Sequence, residues 1–143
     1  MLIDHIGIVT PSINDGIRQW QQLFGYHKAS EIIENTRQKV RVVFLSKKGS
    51  TLIKLVEPSA SDSPVSAFAR RGGGLHHLCF RCADLDLQLS LLQAHVAKML
   101  VSPEPGEAFN GEDIAFFLTR GNLSVELIGT TEKTGFTTEF SFL

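Results

Sequence analysis

The sequence feature that constrains the fold most is an internal repeat with an offset of 72 residues. Residues 3–12 (IDHIGIVTPS) align without a gap over residues 75–84 (LHHLCFRCAD), and residues 44–55 (FLSKKGSTLIKL) align over residues 116–127 (FFLTRGNLSVEL). The chain of 143 residues is almost twice as long as this offset. Because a sequence repeat marks a repeated structural unit, the chain is predicted to contain two copies of one module.

Each module is predicted to place one amphipathic helix after its first strand. The apolar residues recur at i, i+4, i+7 and i+11 in both copies: Ile13, Ile17, Trp20 and Phe24, then Leu85, Leu89, Leu92 and Val96. This spacing forms a single apolar stripe on a helix. Ser12 and Asp84 precede the stripes at equivalent positions, and both carry a side-chain oxygen suited to an N-cap.

Strand-like segments follow each helix, so the order β-α-β-β-β occurs twice. The predicted strands are residues 38–45 and 49–57, then 112–118 and 121–129, with further strands near 27–34 and 97–102. The pattern predicts an α+β fold in which two paired βαβββ modules form a curved mixed sheet around a cleft.

The length suits a single domain with its own core. We expect module one at about residues 1–57, a linker helix at 63–71, module two at about 74–129 and a tail at 130–143. Phe136, Phe140 and Phe142 in this tail predict either a packed extra strand or an oligomer contact.

Composition narrows the class of partner. The net charge of -1 gives no attraction to nucleic acid or to acidic membranes, and no run of residues is long and apolar enough for a membrane span. The first residues lack a signal-peptide pattern, so we expect a cytoplasmic location with Cys79 and Cys82 reduced. A small-molecule substrate, or another protein, is the expected partner.

Strand periodicity brings four polar side chains to one cleft. If Ile6 and Ile8 lie under the first helix, His5 lies on the opposite face, and the same alternation sends His77, Lys54 and Glu126 to that face. The separation from His5 to Lys54 equals that from His77 to Glu126, as the repeat requires. Alternation assigns His76 to the other face, so a structural role is expected for it.

The motifs DHIGI, VEP, SPVSAFARRGGGLHHLCF and SVELIG resemble the vicinal oxygen chelate superfamily and, within it, the methylmalonyl-CoA epimerases. The resemblance runs from about Ile3 to Gly129. It implies a divalent metal, such as Zn, Co, Mn or Ni, held by two His and two Glu or Gln side chains. His5, His77 and Glu126 match three of these positions, whereas Lys54 stands at the fourth.

Lys54 leaves three outcomes open, because a protonated amine has no lone pair for a metal. It swings aside from a weakened metal site, or its ammonium group takes the place of the ion beside Glu126, or the cleft binds a ligand without chemistry. By position, Glu126 and Lys54 are the candidate catalytic residues. Val42 stands where some of the epimerases place a glutamate.

The resemblance therefore implies a homodimeric enzyme that transfers a proton at a carbon next to an acyl-thioester carbonyl, such as that of a malonyl-type acyl group. The acyl carrier is expected to be coenzyme A or an acyl carrier protein. Two alternatives from the same superfamily remain: a metal-free binding protein of the bleomycin-resistance type and a lyase similar to glyoxalase I.

Overall fold

A computed structural model describes residues 1–136 of the chain, and within them nine strands and three α-helices form two successive series. The first series consists of β1 (Leu2–Val9), α1 (Ile13–Phe24), β2 (His27–Lys28), β3 (Ile33–Asn35), β4 (Val40–Ser46) and β5 (Leu52–Pro58). Next comes α2 (Ser66–Arg70). The second series consists of β6 (Gly74–Arg81), α3 (Leu85–Leu92), β7 (Val96–Pro105), β8 (Asp113–Thr119) and β9 (Ser124–Ile128).

All nine strands belong to one mixed sheet, in the order β2-β4-β5-β1-β6-β9-β8-β7, with β3 beside β4. β1 and β6 are antiparallel neighbours in the middle. β1 also pairs in parallel with β5, and β6 pairs in parallel with β9. The first and last strands of both series therefore lie side by side at the centre. The predicted α+β class with a curved mixed sheet is confirmed.

The helices cover the side of the sheet that alternation assigned to them. Ile13 and Ile17 of α1 pack with Ile53 and Leu55 of β5 in one apolar cluster. Leu85 and Leu89 of α3 similarly pack against a cluster formed by Val125, Leu127 and Phe117. Burial of Ile13 and Ile17 stabilises α1 on the sheet by about 1.5–3 kcal/mol for each side chain, whereas α3 has no buried residue and its leucines are only partly covered.

Both predicted N-caps are confirmed. The Ser12 hydroxyl accepts from the Asp15 N–H at 3.3 Å, and the Asp84 carboxylate accepts from the Leu87 N–H at 3.0 Å. Each cap satisfies a backbone donor that the first turn of a helix leaves free. Gly25 ends α1 with φ 71°, a left-handed conformation that glycine adopts without steric cost.

The last members of the two predicted stripes differ in outcome: Phe24 is helical as predicted, whereas the helical assignment of Val96 is wrong. Phe24 remains 48% exposed at the end of α1, where its ring lies 4.8 Å from that of Trp20. Val96 is not helical: a 3₁₀ turn at Gln93–His95 follows α3, and Val96 takes the extended backbone of β7. Its β-branched side chain favours that conformation.

Strand alternation is interrupted at one residue in β1 and one in β6. The partners Ile3↔Phe80 and His5↔Cys79 leave Asp4 as an extra residue in β1. In the same way, Gly7↔His77 and Ile8↔Leu75 leave His76 as an extra residue in β6. These β-bulges lie 72 residues apart, so they are equivalent positions of the repeat. A bulge re-aims the side chain it carries.

The part of the tail that the structure describes folds back against the first series. Phe136 forms an isolated β-bridge with Ser30, and its ring lies 6.2 Å from that of Phe44. Phe140 and Phe142 lie outside the described residues, so the choice between an extra strand and an oligomer contact stays a prediction. None of the helices in residues 1–136 has the length and apolar character that crossing a membrane requires.

Candidate active site

The four side chains predicted to converge lie together on the face of the sheet away from α1 and α3. All are buried: His5 on β1, Lys54 on β5, His77 on β6 and Glu126 on β9. Glu126 lies at the centre of the group. Its two carboxylate oxygens each lie 3.5 Å from Lys54 Nζ, and Oε1 lies 3.0 Å from His5 Nε2 and 3.3 Å from His77 Nε2.

Asp4 supports His5 from behind. Its Oδ2 accepts from His5 Nδ1 at 2.6 Å, because the bulge in β1 turns its carboxylate toward the histidine. Its Oδ1 accepts from Lys133 Nζ at 2.9 Å and from Arg81 Nη1 at 3.3 Å. Burial by itself raises the pKa of Asp4, but the hydrogen bond from His5 and the charge of Lys133 outweigh it and hold the pKa below its usual value.

His76 holds the equivalent place in the second half, beside His77. Its Nδ1 lies 2.7 Å from Nδ1 of His77, and its side chain lines a cavity on the site's side of the sheet. The expectation that His76 lies on the far face is wrong, because the bulge in β6 breaks the alternation on which it depended. Burial, followed by the charge of Lys54, lowers the pKa of His76.

Small residues opposite the histidines make room for their rings. Gly7 pairs with His77 across β1 and β6, and a Cβ atom at Gly7 would lie 2.0 Å from His77 Cε1. Cys79 pairs with His5 and is fully buried. Burial, and then the charge of Glu126, raise the pKa of the Cys79 thiol well above its usual value. The cysteines are free, in agreement with the prediction that they are reduced.

Protonation in the group follows from burial and from the ammonium charge. Burial by itself raises the pKa of Glu126, but the charge of Lys54 and the adjacent His5 and His77 rings outweigh it and hold the pKa well below its usual value. Burial lowers the pKa of His77 to about 4, an effect that the charge of Glu126 only partly offsets. At neutral pH, Glu126 is therefore ionised and His77 is uncharged.

A cavity of about 330 Å³ opens over Lys54 and His77. Its wall is largely apolar and includes Val40, Val42, Val56, Val65, Val101 and Phe116. Gln38, His76 and Ser124 add polar groups. The ring of Phe109 lies beneath the group, 5.1 Å from Lys54 Nζ. This shape suits a small apolar group with one or two polar atoms directed at Lys54.

The fit of these residues to a divalent metal is decided by Lys54. Ligand atoms of His5, His77 and Glu126 lie within 4.8 Å of one another, and the buried Nε2 of His77 lies 3.3 Å from Glu126 Oε1 without a well-oriented hydrogen bond to any described residue. The ammonium group of Lys54, however, lies against both oxygens of Glu126. It offers no lone pair, and its charge repels a cation. The donor set with Lys54 in this position does not fit a resident divalent ion.

Comparison with known proteins identifies relatives of most of the chain. A family model described as "Glyoxalase/Bleomycin resistance protein/Dioxygenase superfamily" matches residues 4–116. YqjC of Bacillus subtilis (strain 168), an uncharacterized protein, is 39% identical over 121 residues, which cover 82% of this chain and 83% of YqjC. The ethylmalonyl-CoA/methylmalonyl-CoA epimerase of Cereibacter sphaeroides is 26% identical over 116 residues, which cover 80% of this chain and 85% of that enzyme.

Solved structures agree with these relatives. The methylmalonyl-CoA epimerase from Mycobacterium tuberculosis has a TM-score of 0.75 at 25% identity, covering 88% of this chain and 85% of that chain. A methylmalonyl-CoA epimerase in complex with methylmalonyl-CoA and NH4+ has a TM-score of 0.74 at 26% identity, covering 91% and 96%. The resemblance inferred from the motifs is confirmed.

Proposed function

Because the chain belongs to the glyoxalase/bleomycin resistance protein/dioxygenase superfamily, we propose that it transfers a proton at a carbon next to an acyl-thioester carbonyl. In this proposal the ammonium group of Lys54 supplies the positive charge that a divalent ion supplies in the epimerases that the sequence resembles. The observation behind it is the position of Lys54 Nζ, which lines the cavity and lies 3.5 Å from both oxygens of Glu126.

The ammonium group stabilises the intermediate of this reaction. When the carbon loses its proton, negative charge develops on the thioester oxygen as an enolate. A fixed N–H donor in this largely apolar cavity stabilises that oxygen more than it stabilises the neutral carbonyl, which lowers the barrier. Return of a proton to the opposite face inverts the centre, and return to the same face leaves only isotope exchange.

Glu126 and His76 have different parts in this proposal. Glu126 is ionised, buried and 3.5 Å from Lys54 Nζ, so it serves as the counter-ion of the ammonium group inside the core. His76 lines the cavity with an imidazole whose pKa is lowered, so it is uncharged at neutral pH and able to accept a proton. We assign the proton-accepting role to His76.

The comparisons support the class of reaction. The similar enzymes act, by name, on methylmalonyl-CoA or ethylmalonyl-CoA, which are acyl thioesters with an acidic carbon next to the carbonyl. One of the similar structures contains NH4+ together with methylmalonyl-CoA. An ammonium ion and methylmalonyl-CoA thus occur together in one complex of such an enzyme, and in this proposal an ammonium side chain lies beside the substrate in this protein.

The experiment that tests the proposal is hydrogen exchange in D2O. The protein, treated with a chelator, is incubated with 2-substituted acyl-CoA thioesters, and deuterium at the carbon next to the carbonyl is followed by mass spectrometry. We expect exchange above a blank without protein, with no loss after chelation. Lys54→Met should lower the rate at least about 100-fold, the usual effect of removing an oxyanion donor.

Lys48→Met is the matched control, because Lys48 is exposed in the turn between β4 and β5, away from the cavity lining. Its exchange rate should equal that of the unaltered protein. Exchange that appears only after a divalent metal is added would contradict the role of Lys54. Absence of exchange with every thioester would contradict the reaction.

A specific observation favours one alternative, a binding protein without chemistry. Val42 lines the cavity where some of the epimerases place a glutamate, so the wall lacks a carboxylate base among the described residues. This alternative predicts that a thioester binds equally before and after chelation while no exchange occurs. The His76→Asn variant separates the two functions, since it should abolish exchange but leave a purely binding site nearly unchanged.

A further inference from the structure

The charge of Lys54 is already matched inside the protein. Both oxygens of Glu126 lie 3.5 Å from its Nζ, and Glu126 is only 1% exposed. The neighbouring buried Asp4 is paired with Lys133 at 2.9 Å and with the partly exposed Arg81 at 3.3 Å, and neither of these cations lines the cavity. Both nitrogens of His5 face these two carboxylates, so a proton on that ring lies between two negative charges. Each cation of the cluster therefore already faces a carboxylate, and an anionic ligand group would have to share the ammonium group of Lys54 with Glu126.

The cavity wall does not supply a cation either. Among the described residues that line it, Lys54 is the only Lys, Arg, Asp or Glu. The other polar lining groups include the amide of Gln38 and the hydroxyl of Ser124, and the remaining wall is mostly Val, Leu and Phe. A ligand carboxylate would lose its water here, would lack an unpaired counter-ion, and would approach Glu126. An uncharged carbonyl needs only hydrogen-bond donors.

We propose that this site selects acyl thioesters whose acyl group is uncharged, such as 2-substituted 3-oxoacyl thioesters, over malonyl-type thioesters that carry a free carboxylate. The inference rests on the proposed function and specifies its substrate class. It also fits the chemistry of the step, since an uncharged acyl group acquires negative charge only when the proton leaves. The paired ammonium group then acts chiefly on the transition state.

The test compares two thioesters of similar shape, 2-methylacetoacetyl-CoA and methylmalonyl-CoA, in which an acetyl group replaces the carboxylate. Binding is measured by calorimetry at one ionic strength, and exchange in D2O is measured alongside. We expect the uncharged thioester to bind at least about tenfold more tightly. Equal or tighter binding of methylmalonyl-CoA, with exchange retained, overturns the selectivity but leaves the proposed function standing. Binding of neither thioester overturns both.

A charge introduced at the rim shows whether the selectivity is electrostatic. Gln38 lines the cavity and is partly exposed. Its hydrogen bond to Asn35 Oδ1 is donated by the backbone N–H, so a change of the side chain leaves this bond in place. Gln38→Lys adds an unpaired cation and should shift the ratio of the two affinities toward methylmalonyl-CoA at least about tenfold. Gln38→Glu adds the opposite charge at the same place and should shift the ratio away from methylmalonyl-CoA. A ratio that moves in the same direction in both variants contradicts an electrostatic origin.

Discussion

The two halves of the candidate site follow one plan but carry different chemistry. In each half the first strand supplies a bulged residue and then a buried histidine, and the last strand supplies one ionisable side chain. The members are, in chain order, Asp4, His5 and Lys54 in the first half and His76, His77 and Glu126 in the second. The repeat has kept the geometry of these positions, while the charges at two of the three pairs differ.

The two bulge residues differ in their access to the cavity, so we call the first half closed and the second half open. Asp4 is 1% exposed at its side chain, and the tail closes over it through Lys133, whose side chain is 7% exposed. His76 instead lines the cavity. Asp4, next to His5, is thus fully used in contacts within the protein, whereas His76, next to His77, can contact a ligand in the cavity. Equivalent positions in a repeat can therefore share a β-bulge while one side chain makes internal ion pairs and the other faces the cavity.

Removing the carboxylate from the second half should have the largest effect on stability. Glu126→Gln leaves the Lys54 ammonium group buried without its counter-ion, so we expect a loss of about 3–5 kcal/mol in the free energy of unfolding. Urea unfolding followed by circular dichroism measures it. Glu57→Gln is the matched control on β5: its partner Arg41 is 39% exposed at the side chain, so the loss should stay below about 1 kcal/mol.

The double variant Lys54→Met with Glu126→Leu sharpens this comparison. Replacing both charges by apolar groups removes the cost of burying them, so the free energy of unfolding should return to within about 1 kcal/mol of the unaltered protein. If the double variant is as unstable as Glu126→Gln alone, the loss comes from packing or from the histidines and not from an unpaired ammonium group.

Lys54→Gln should create a metal site, because it replaces the ammonium group of the first half by an amide oxygen that can bind a metal, as the carboxylate of Glu126 can in the second half. The change removes a unit charge about 4 Å from the ion, worth about 4 kcal/mol at an effective dielectric constant of 20, and adds an amide oxygen. We expect Zn or Co affinity to rise at least about 1,000-fold. Competition with a chromophoric chelator measures the affinity.

Lys54→Met is the matched control for this change, because it removes the charge without adding a ligand atom. Its affinity should lie between those of the unaltered protein and Lys54→Gln. Metal binding that stays the same in all three proteins would show that Lys54 does not stand at the fourth ligand position, and the assignment from the resemblance would then be wrong.

The sequence predicted most of the frame of the site because the frame follows from periodic patterns. The repeat paired His5 with His77 and Lys54 with Glu126, and strand alternation sent all four to one face. The structure brings these four together. Their roles in binding or catalysis stay predictions.

What the sequence did not predict depends on breaks in the same patterns. Alternation misplaced His76 and gave no role to Asp4, because each is a bulge residue and a bulge depends on the pairing with the neighbouring strand. The equivalence of residues 4 and 76 in the repeat was the available signal. Lys133 could not be found in this way, since the tail has no counterpart in the repeat. The predicted strand near 27–34 forms two short strands, β2 and β3, for a similar reason: its pairing with β4 is interrupted.

Gly7→Ala tests whether the second half needs more space than the first. The added Cβ would lie 2.0 Å from His77 Cε1, whereas Cys79, at the equivalent position opposite His5, carries a full side chain. We expect a loss of up to about 3 kcal/mol in the free energy of unfolding, together with slower exchange as His77 moves. In the control Gly121→Ala, the new Cβ lies 3.7 Å from the nearest atom, Thr119 Oγ1. Similar losses in both variants would remove the steric argument.

The smallest expected effect is a pH dependence that originates in the second half. The pKa of His77 falls from 6.5 to about 4 on folding, so between these pH values the unfolded chain binds a proton that the folded chain does not. Stability is therefore fully present above pH 6.5 and decreases as the pH falls toward 4. The loss attributable to His77 at pH 5 is about 2 kcal/mol relative to pH 7.

His77→Gln should flatten the curve of unfolding free energy against pH in this window, while His95→Gln, which alters an exposed histidine, should not. The lowered pKa values of Asp4 and Glu126 remove stability only as the pH falls below their usual values of 3.8 and 4.5, so the comparison is made above pH 4.5. If the slope persists unchanged in His77→Gln, the pH dependence comes from His76, whose pKa is also lowered. His76 would then contribute more to it than His77.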